Sequence, residues 1–188
     1  MILSAWKSGQ HRAGAVWLSF CLLLLATPLL AAEQASLLQQ VADRLEIQEV
    51  AYRYITALDT RDADMYVSVF TEDAEYDIEA QVVRGHKELR DVIAGLQRSR
   101  DATVAAGKPV VDLYHTNLNP QIELISATEA RFQAYWQTLR KGDDNAMRIG
   151  GMGRIFDTLV KTKTGWKIRK RVLTNFIQRQ TTSAAAPK

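Results

Sequence analysis

Two residues with acid–base side chains sit together at the end of one helix-forming stretch. Across residues 44–77, Ile47, Val50, Ala51, Tyr54, Ile55 and Leu58 recur at three- and four-residue steps, the period of an amphipathic helix. Asp59 falls where that stripe stops, and Thr60-Arg61-Asp62 is polar enough to turn the chain. A tyrosine on the apolar face and a carboxylate at the same helix end make a polar spot beside apolar surface. Past the first 32 residues the only histidines are His86 and His115, too few for a three-histidine metal site. HExxH, GxSxG and a nucleotide-binding glycine loop are absent. Gly150-Gly151-Met152-Gly153 precedes no helix, so it cannot cradle phosphate. These absences leave Tyr, Asp and His as the groups with which this chain could do chemistry, and proton transfer as the chemistry they could do.

The elements that must position these groups can be read in order. Asp62 is placed to cap a second short helix that buries Met65, Val69 and Phe70. Thr71-Glu72-Asp73 breaks the pattern before short strands at 75–78 and 81–84. A third helix starts at Gly85, with Leu89, Val92, Ile93 and Leu96 on one face. Residues 98–108 are polar and small, a loop over the mouth of whatever the helices enclose. Strands follow at 122–125 and 130–140, where Ala130, Phe132, Ala134 and Trp136 alternate with Arg131, Gln133, Tyr135 and Gln137. A hairpin turn at 141–145 leads to a second long hairpin, 146–161 and 166–178. Residues 33–40 read as a polar lead-in, and 181–188 as a disordered tail.

The ends of the chain change the charge argument. Residues 1–32 carry Lys7 and Arg12, an apolar run from 13 to 30, and Ala31-Ala32-Glu33, the layout of a secretory signal peptide cut after Ala32. The rival is an uncleaved anchor, since such a run could just span a bilayer. Cleavage removes two cations from a formal net charge of +3, and it removes Cys21, the only cysteine. What remains has no disulfide, no thiol nucleophile and no basic cluster for nucleic acid. The expected product is periplasmic or secreted, without stable membrane association. One domain, residues 33–180, accounts for the rest.

Helices first and antiparallel strands second is an α+β order. The sheet is longer than the helices can cover flat, so it should curl around them. Gly150, Gly151 and Gly153 in one strand fit such a bend. A curled sheet closed by helices leaves a pocket for one small, largely apolar molecule.

The runs IQEVAYRYITALDTRDADMYVSVFTEDAEY, VVRGHKEL, YHTNLNPQIEL and GRIFDTLVKTKTGWKIRKR, in that order, resemble the SnoaL-like branch of the nuclear transport factor 2-like superfamily. The resemblance covers about residues 43–176 and implies a cone-shaped curved antiparallel sheet wrapped around N-terminal helices, the cystatin-like fold. Within that branch the chain looks most like bile-acid 7α-dehydratases, scytalone dehydratases and hexachlorocyclohexane dehydrochlorinases. These eliminate a leaving group with an Asp-His pair and without a cofactor. The resemblance places Asp59 at the family aspartate, His115 at its histidine and Tyr54 at the tyrosine of the bile-acid enzymes.

An elimination beside a carbonyl needs a base that titrates near neutral pH, a carboxylate to hold it in one tautomer, and a donor for the developing oxyanion. The resemblance thus implies His115 as base, Asp59 as its partner and Tyr54 as donor. Phe70 and Trp136 are expected to line the pocket, and Arg148, Arg154 or Arg171 to meet an anionic group of the substrate, with Arg154 preferred. Structural readings stand beside these. Asp59 could cap a turn, Tyr54 could be core, and His115, Asn117 and Asn119 alternate as a solvent-facing stripe unless Pro120 introduces a bulge.

Two departures from the relatives bear on the substrate. Strand 130–140 lacks the second histidine of the scytalone enzymes, and Asn175 stands where the bile-acid enzymes carry an arginine. The resulting expectation is an exported dehydratase or isomerase acting on a small cyclic apolar substrate such as a steroid or polyketide. The alternative is a non-catalytic small-molecule-binding or accessory protein using the same pocket. Either would assemble through the uncovered sheet face, as a homodimer before a trimer.

Overall fold

The computed structural model describes the backbone of residues 13–78, 81–142 and 144–176, with side chains from residue 30 onward. The expected signal segment at 1–32 lies outside the described side chains except for its last three residues, and the tail at 181–188 lies wholly outside. The chain divides into two units, Met1–Ala42 and Asp43–Lys188. In the first, helix α1 (Ala13–Thr60) is already formed, and residues 30–42 are exposed. Residues 33–40 are thus helical rather than a polar lead-in. Their Glu, Gln, Ala and Leu are good helix formers, and no glycine or proline interrupts them.

In the second unit α1 continues to Thr60 and buries Ile47, Val50, Ala51, Tyr54 and Ala57 along one side. A short α2 (Ala63–Ser68) follows, capped by the Asp62 carboxylate, which accepts from the Met65 N–H at 2.9 Å. It buries Tyr66 and Val67, while Met65 is only half-buried. Strands β1 (Phe70–Ile78) and β2 (Gln81–Arg84) lead to α3 (Gly85–Ala105), which packs Leu89 and Ile93 inward. The loop expected at 98–108 is helical as far as Ala105. Gln97 bonds Asp101 one turn on, and the stop comes at Gly107, which has a φ of 66°.

Strands β3 (Leu113–Leu124), β4 (Glu129–Lys141), β5 (Met147–Thr162) and β6 (Gly165–Asn175) complete a six-stranded sheet in the order β2-β1-β6-β5-β4-β3. The expected architecture, α+β with helices on one face of a curved sheet, is the one observed. One pairing differs from a wholly antiparallel sheet: β1 runs parallel to β6. Side-chain alternation is the same in parallel and antiparallel pairs, so the pattern carried no sign of it. β1 also starts at Phe70, through the expected break at 71–73, and β3 is far longer than the strand foreseen at 122–125.

Three register shifts among the antiparallel strands β3 to β6, besides one between β1 and β6, bend the sheet. Leu118 and Gln121 of β3 oppose Tyr135 and Gln133 of β4, so Asn119-Pro120 carries one extra residue, with Asn119 at a φ of 51°. Thr138 and Leu139 oppose Gly151 and Ile149, leaving Gly150 unpaired, in keeping with the bend expected of these glycines. Thr158 and Leu159 oppose Lys170 and Ile168, leaving Arg169 unpaired. Each extra residue reverses which alternate side chains face the helices.

A polar latch ties α1 to the β5–β6 hairpin. The Asp43 carboxylate, buried at 4% exposure, accepts from Lys161 Nζ at 2.5 Å and from the Trp166 indole N–H at 3.0 Å. Glu46 accepts the Trp166 backbone N–H at 2.8 Å. Gly165 must be glycine here, since its φ is 102° and a Cβ would lie 2.0 Å from Glu46 Oε1. Asp43→Ala strands the buried indole N–H and should lower unfolding free energy by about 1–3 kcal/mol, measured by urea denaturation.

Candidate active site

Helix α1 ends in a Schellman motif: the Asp62 N–H reaches Ala57 O at 3.0 Å and the Arg61 N–H reaches Leu58 O at 3.3 Å. Arg61 takes the left-handed position, with a φ of 59°. Asp59 is thereby held in the last turn, where its charge opposes the negative end of the helix dipole. Two N–H groups of His115, near the start of β3, offset this. The backbone N–H donates to the carboxylate at 3.2 and 3.3 Å, and ring Nδ1 approaches Oδ1 at 2.6 Å. A carboxylate only accepts, so Nδ1 carries a proton, and Nε2 is the nitrogen left to act as a base. Both side chains are about a quarter exposed.

His115 lines a cavity of about 200 Å³ together with Tyr54, Tyr66, Tyr76, Asn117 and Trp136, and its remaining wall is mainly aliphatic. The Tyr54 and Tyr76 hydroxyls share a hydrogen bond at 3.0 Å. Tyr66 Oη, Thr116 Oγ1 and Asn117 Nδ2 are buried without a hydrogen-bond partner among the described residues. Burial holds the Tyr66 and Tyr76 phenols well above their ordinary range, so both remain neutral donors.

Behind the tyrosines lies a buried ion pair. Arg171, at 0% exposure, donates from Nε and Nη2 to Asp157 at 2.8 and 2.6 Å. Its guanidinium stands 3.7 Å from the Tyr54 ring centroid. Burial alone would make this cation easier to deprotonate, but the Asp157 carboxylate holds it firmly charged.

The structure brings together Asp59, His115, Tyr54 and Trp136 from the residues singled out in the sequence. Trp136 reaches across Gly153 to donate its indole N–H to Thr174 O at 3.0 Å. A Cβ on that glycine would lie 1.7 Å from the same oxygen. Phe70 is displaced from its expected place in the wall. It is buried behind the cavity, packed edge-on to Tyr54 at 6.0 Å. Arg154 is also displaced. It neighbours Ile155, which faces the cavity, and so lies on the opposite sheet face, over the rings of Tyr135 and Phe156. Arg148 pairs with Asp144 at 2.6 Å in the β4–β5 turn region. His86 is half-buried, its Nε2 3.1 Å from Phe70 O. Tyr66 and Asn117 were missed as cavity residues. Asn117 was legible as the next residue on the face of His115, and Tyr66 had no signal beyond its type.

The comparisons place this architecture among known ones. The SnoaL-like domain family matches residues 39–172. An NTF2-like protein with a cystatin-like fold from Novosphingobium aromaticivorans superposes with a TM-score of 0.65 at 21% identity, over 81% of this chain and 91% of that one. A scytalone dehydratase-like protein from the same species gives 0.59 at 21%, covering 74% and 87%. Hexachlorocyclohexane dehydrochlorinase LinA-type3 from Novosphingobium barchaimii LL02 gives 0.61 at 18%, covering 80% and 99%. At these identities the likeness is one of fold. No curated protein sequence matches the chain.

The buried pair yields a stability test. Asp157→Ala leaves the Arg171 charge buried and unpaired, and should cost about 3–5 kcal/mol in denaturant unfolding. Replacing both together, Asp157→Leu with Arg171→Met, should recover most of that loss.

Proposed function

Because the chain belongs to the SnoaL-like family, we propose that it is a cofactor-independent dehydratase or isomerase acting on a small cyclic, mainly apolar substrate. The observation that carries this reading is the 2.6 Å contact between Asp59 and Nδ1 of His115, which lines a cavity walled mainly by aliphatic and aromatic side chains. In this reading His115 Nε2 takes a proton from the carbon beside a carbonyl, and Asp59 stabilises the imidazolium that forms. The tyrosines stabilise the negative oxygen. Tyr54 does so with its hydroxyl polarised by Tyr76, and the unpartnered hydroxyl of Tyr66 is a second donor. In a dehydration the protonated His115 then returns its proton to the departing hydroxyl, giving water and an α,β-unsaturated ketone. In an isomerisation it returns the proton to another carbon.

The cavity volume bounds the reacting part. A cavity of about 150 Å³ holds benzene, so about 200 Å³ suits one or two rings, with any larger remainder of a steroid or polyketide directed outward. The unpartnered Asn117 and Thr116 atoms favour a ligand with polar substituents over a pure hydrocarbon. A non-catalytic carrier would use the same cavity but has no need of an oriented imidazole. Export through residues 1–32, and pairing of two copies through the sheet face bearing Phe156 and Arg154, complete the proposal. Its support is the signal-like layout and the exposure of Phe156.

The decisive experiment is a screen of the purified protein against hydroxysteroids and cyclic β-hydroxy ketones for loss of water. On an authentic substrate, His115→Ala should abolish nearly all turnover. Asp59→Asn should keep the fold and lose about 10³–10⁴ in kcat, because the amide can favour the wrong imidazole tautomer. Tyr54→Phe should lose about ten- to a thousandfold. Turnover by His115→Ala at the parent rate would leave the pair structural and the carrier reading in its place.

A further inference from the structure

His115 and Leu58 belong to the walls of two chambers. Beyond the inner cavity lies a second space of about 240 Å³, lined by the end of α1, the last turns of α3 and the segment leading into β3. Its apolar wall includes Leu96, Val111 and Leu113, which are exposed large hydrophobics elsewhere unaccounted for by the core. Its charged wall consists of Arg61 and Arg100. From these observations we propose that the outer chamber is an anion subsite, and that the substrate is an amphipathic acid. Its ring lies in the inner cavity, and a short apolar tether passes His115 to a carboxylate held by Arg61 and Arg100. The proposal rests on the inner cavity being the site of reaction, and it adds the class of molecule that enters.

Three features carry it. Two guanidinium groups share one carboxylate, Asp112: Arg100 bonds it closely and Arg61 stands 3.8 Å away, while the neighbouring Asp59 carboxylate is engaged by His115. Among the described residues Arg61's side chain makes one hydrogen bond, to the Asp59 carbonyl at 3.5 Å, which leaves most of its five donors unused there while it is only 22% exposed. Its backbone position is the second feature. The left-handed residue of a Schellman motif is most often glycine, and placing arginine at φ 59° costs stability that glycine would not. The third is that the rest of the chamber wall contributes no carboxylate, only aliphatic and hydroxyl side chains and the His115 imidazole. A partly desolvated, forked donor pair in an apolar setting is suited to a carboxylate. The buried Arg171 gives Nε and Nη2 to Asp157 and is not part of the wall of either chamber.

The test measures binding, so it stands apart from turnover. Isothermal titration of the full-length protein with 3-(2-naphthyl)propanoate and with its primary amide should show the acid binding about tenfold or more tightly at low salt, a gap that narrows as salt rises. In Arg61→Gln with Arg100→Gln the gap should close, with the amide binding as before. Asp112→Asn removes the competing carboxylate and should tighten the acid about threefold or more, a gain that misfolding cannot produce. Equal affinity of acid and amide for the parent protein overturns the proposal. So does a preference for the acid that survives the double substitution, or failure of both compounds to bind at millimolar concentration. Absence of the acid preference in the parent protein, with His115-dependent turnover intact, would reject the subsite and leave the elimination reading standing.

Discussion

One carboxylate holds the site together. Asp59 accepts from both the backbone N–H and the ring Nδ1 of His115, residues separated by 56 positions in the chain. The backbone bond locks the start of β3 to the end of α1. The ring bond fixes which nitrogen of the imidazole bears the proton, and with it which nitrogen can act as a base. Because the carboxylate sits at the unfavourable end of a helix dipole, it needs donors, and His115 supplies both. The same contact thus closes the fold between helix and sheet and prepares a reactive group.

The aromatic groups beside this pair depend on a different interaction. Arg171 and Asp157 are wholly desolvated, which isolated charges could not tolerate, and they hold each other through two short hydrogen bonds. The guanidinium offers its flat face to Tyr54, whose hydroxyl is then fixed against Tyr76. Packing alone would locate those rings loosely. A charged plane 3.7 Å away and a hydroxyl partner at 3.0 Å define both the tilt of the Tyr54 ring and the direction of its oxygen. Such fixed dipoles are worth more in a cavity walled mostly by hydrocarbon than they would be in water.

The polar groups around the two chambers divide by charge. In the inner cavity the unpaired atoms are neutral, a phenol, a hydroxyl and an amide, while the cations gather in the outer one. His115 lies between them, in both walls. A molecule that satisfies both environments has an apolar ring with neutral polar substituents at one end and an ionised group at the other.

Local pattern was enough for the amphipathic stripe of α1, the position of Asp59 at its end, the Asp62 cap and the α+β order, since each depends on residues a few positions apart. It was also enough for the inward run of Ala130, Phe132, Ala134 and Trp136, because β4 is followed on that face by unbroken alternation. The facing of His115 and of Arg171 was not legible, and for one reason. Alternation counted from Ile122 and Leu124 puts His115 outward, and counted from Trp166 and Ile168 it puts Arg171 outward. The extra residues at Asn119-Pro120 and at Arg169 reverse both. A bulge is chosen by how a strand must bend to cover the helices, which is a property of the closed sheet and not of the strand. Arg154 and Phe70 differ in kind: Arg154 follows plain alternation beside Ile155, and Phe70 is buried on the core side behind Tyr54. Residue type and spacing nominate a group for chemistry, but the face it presents is decided only when the sheet closes over its core.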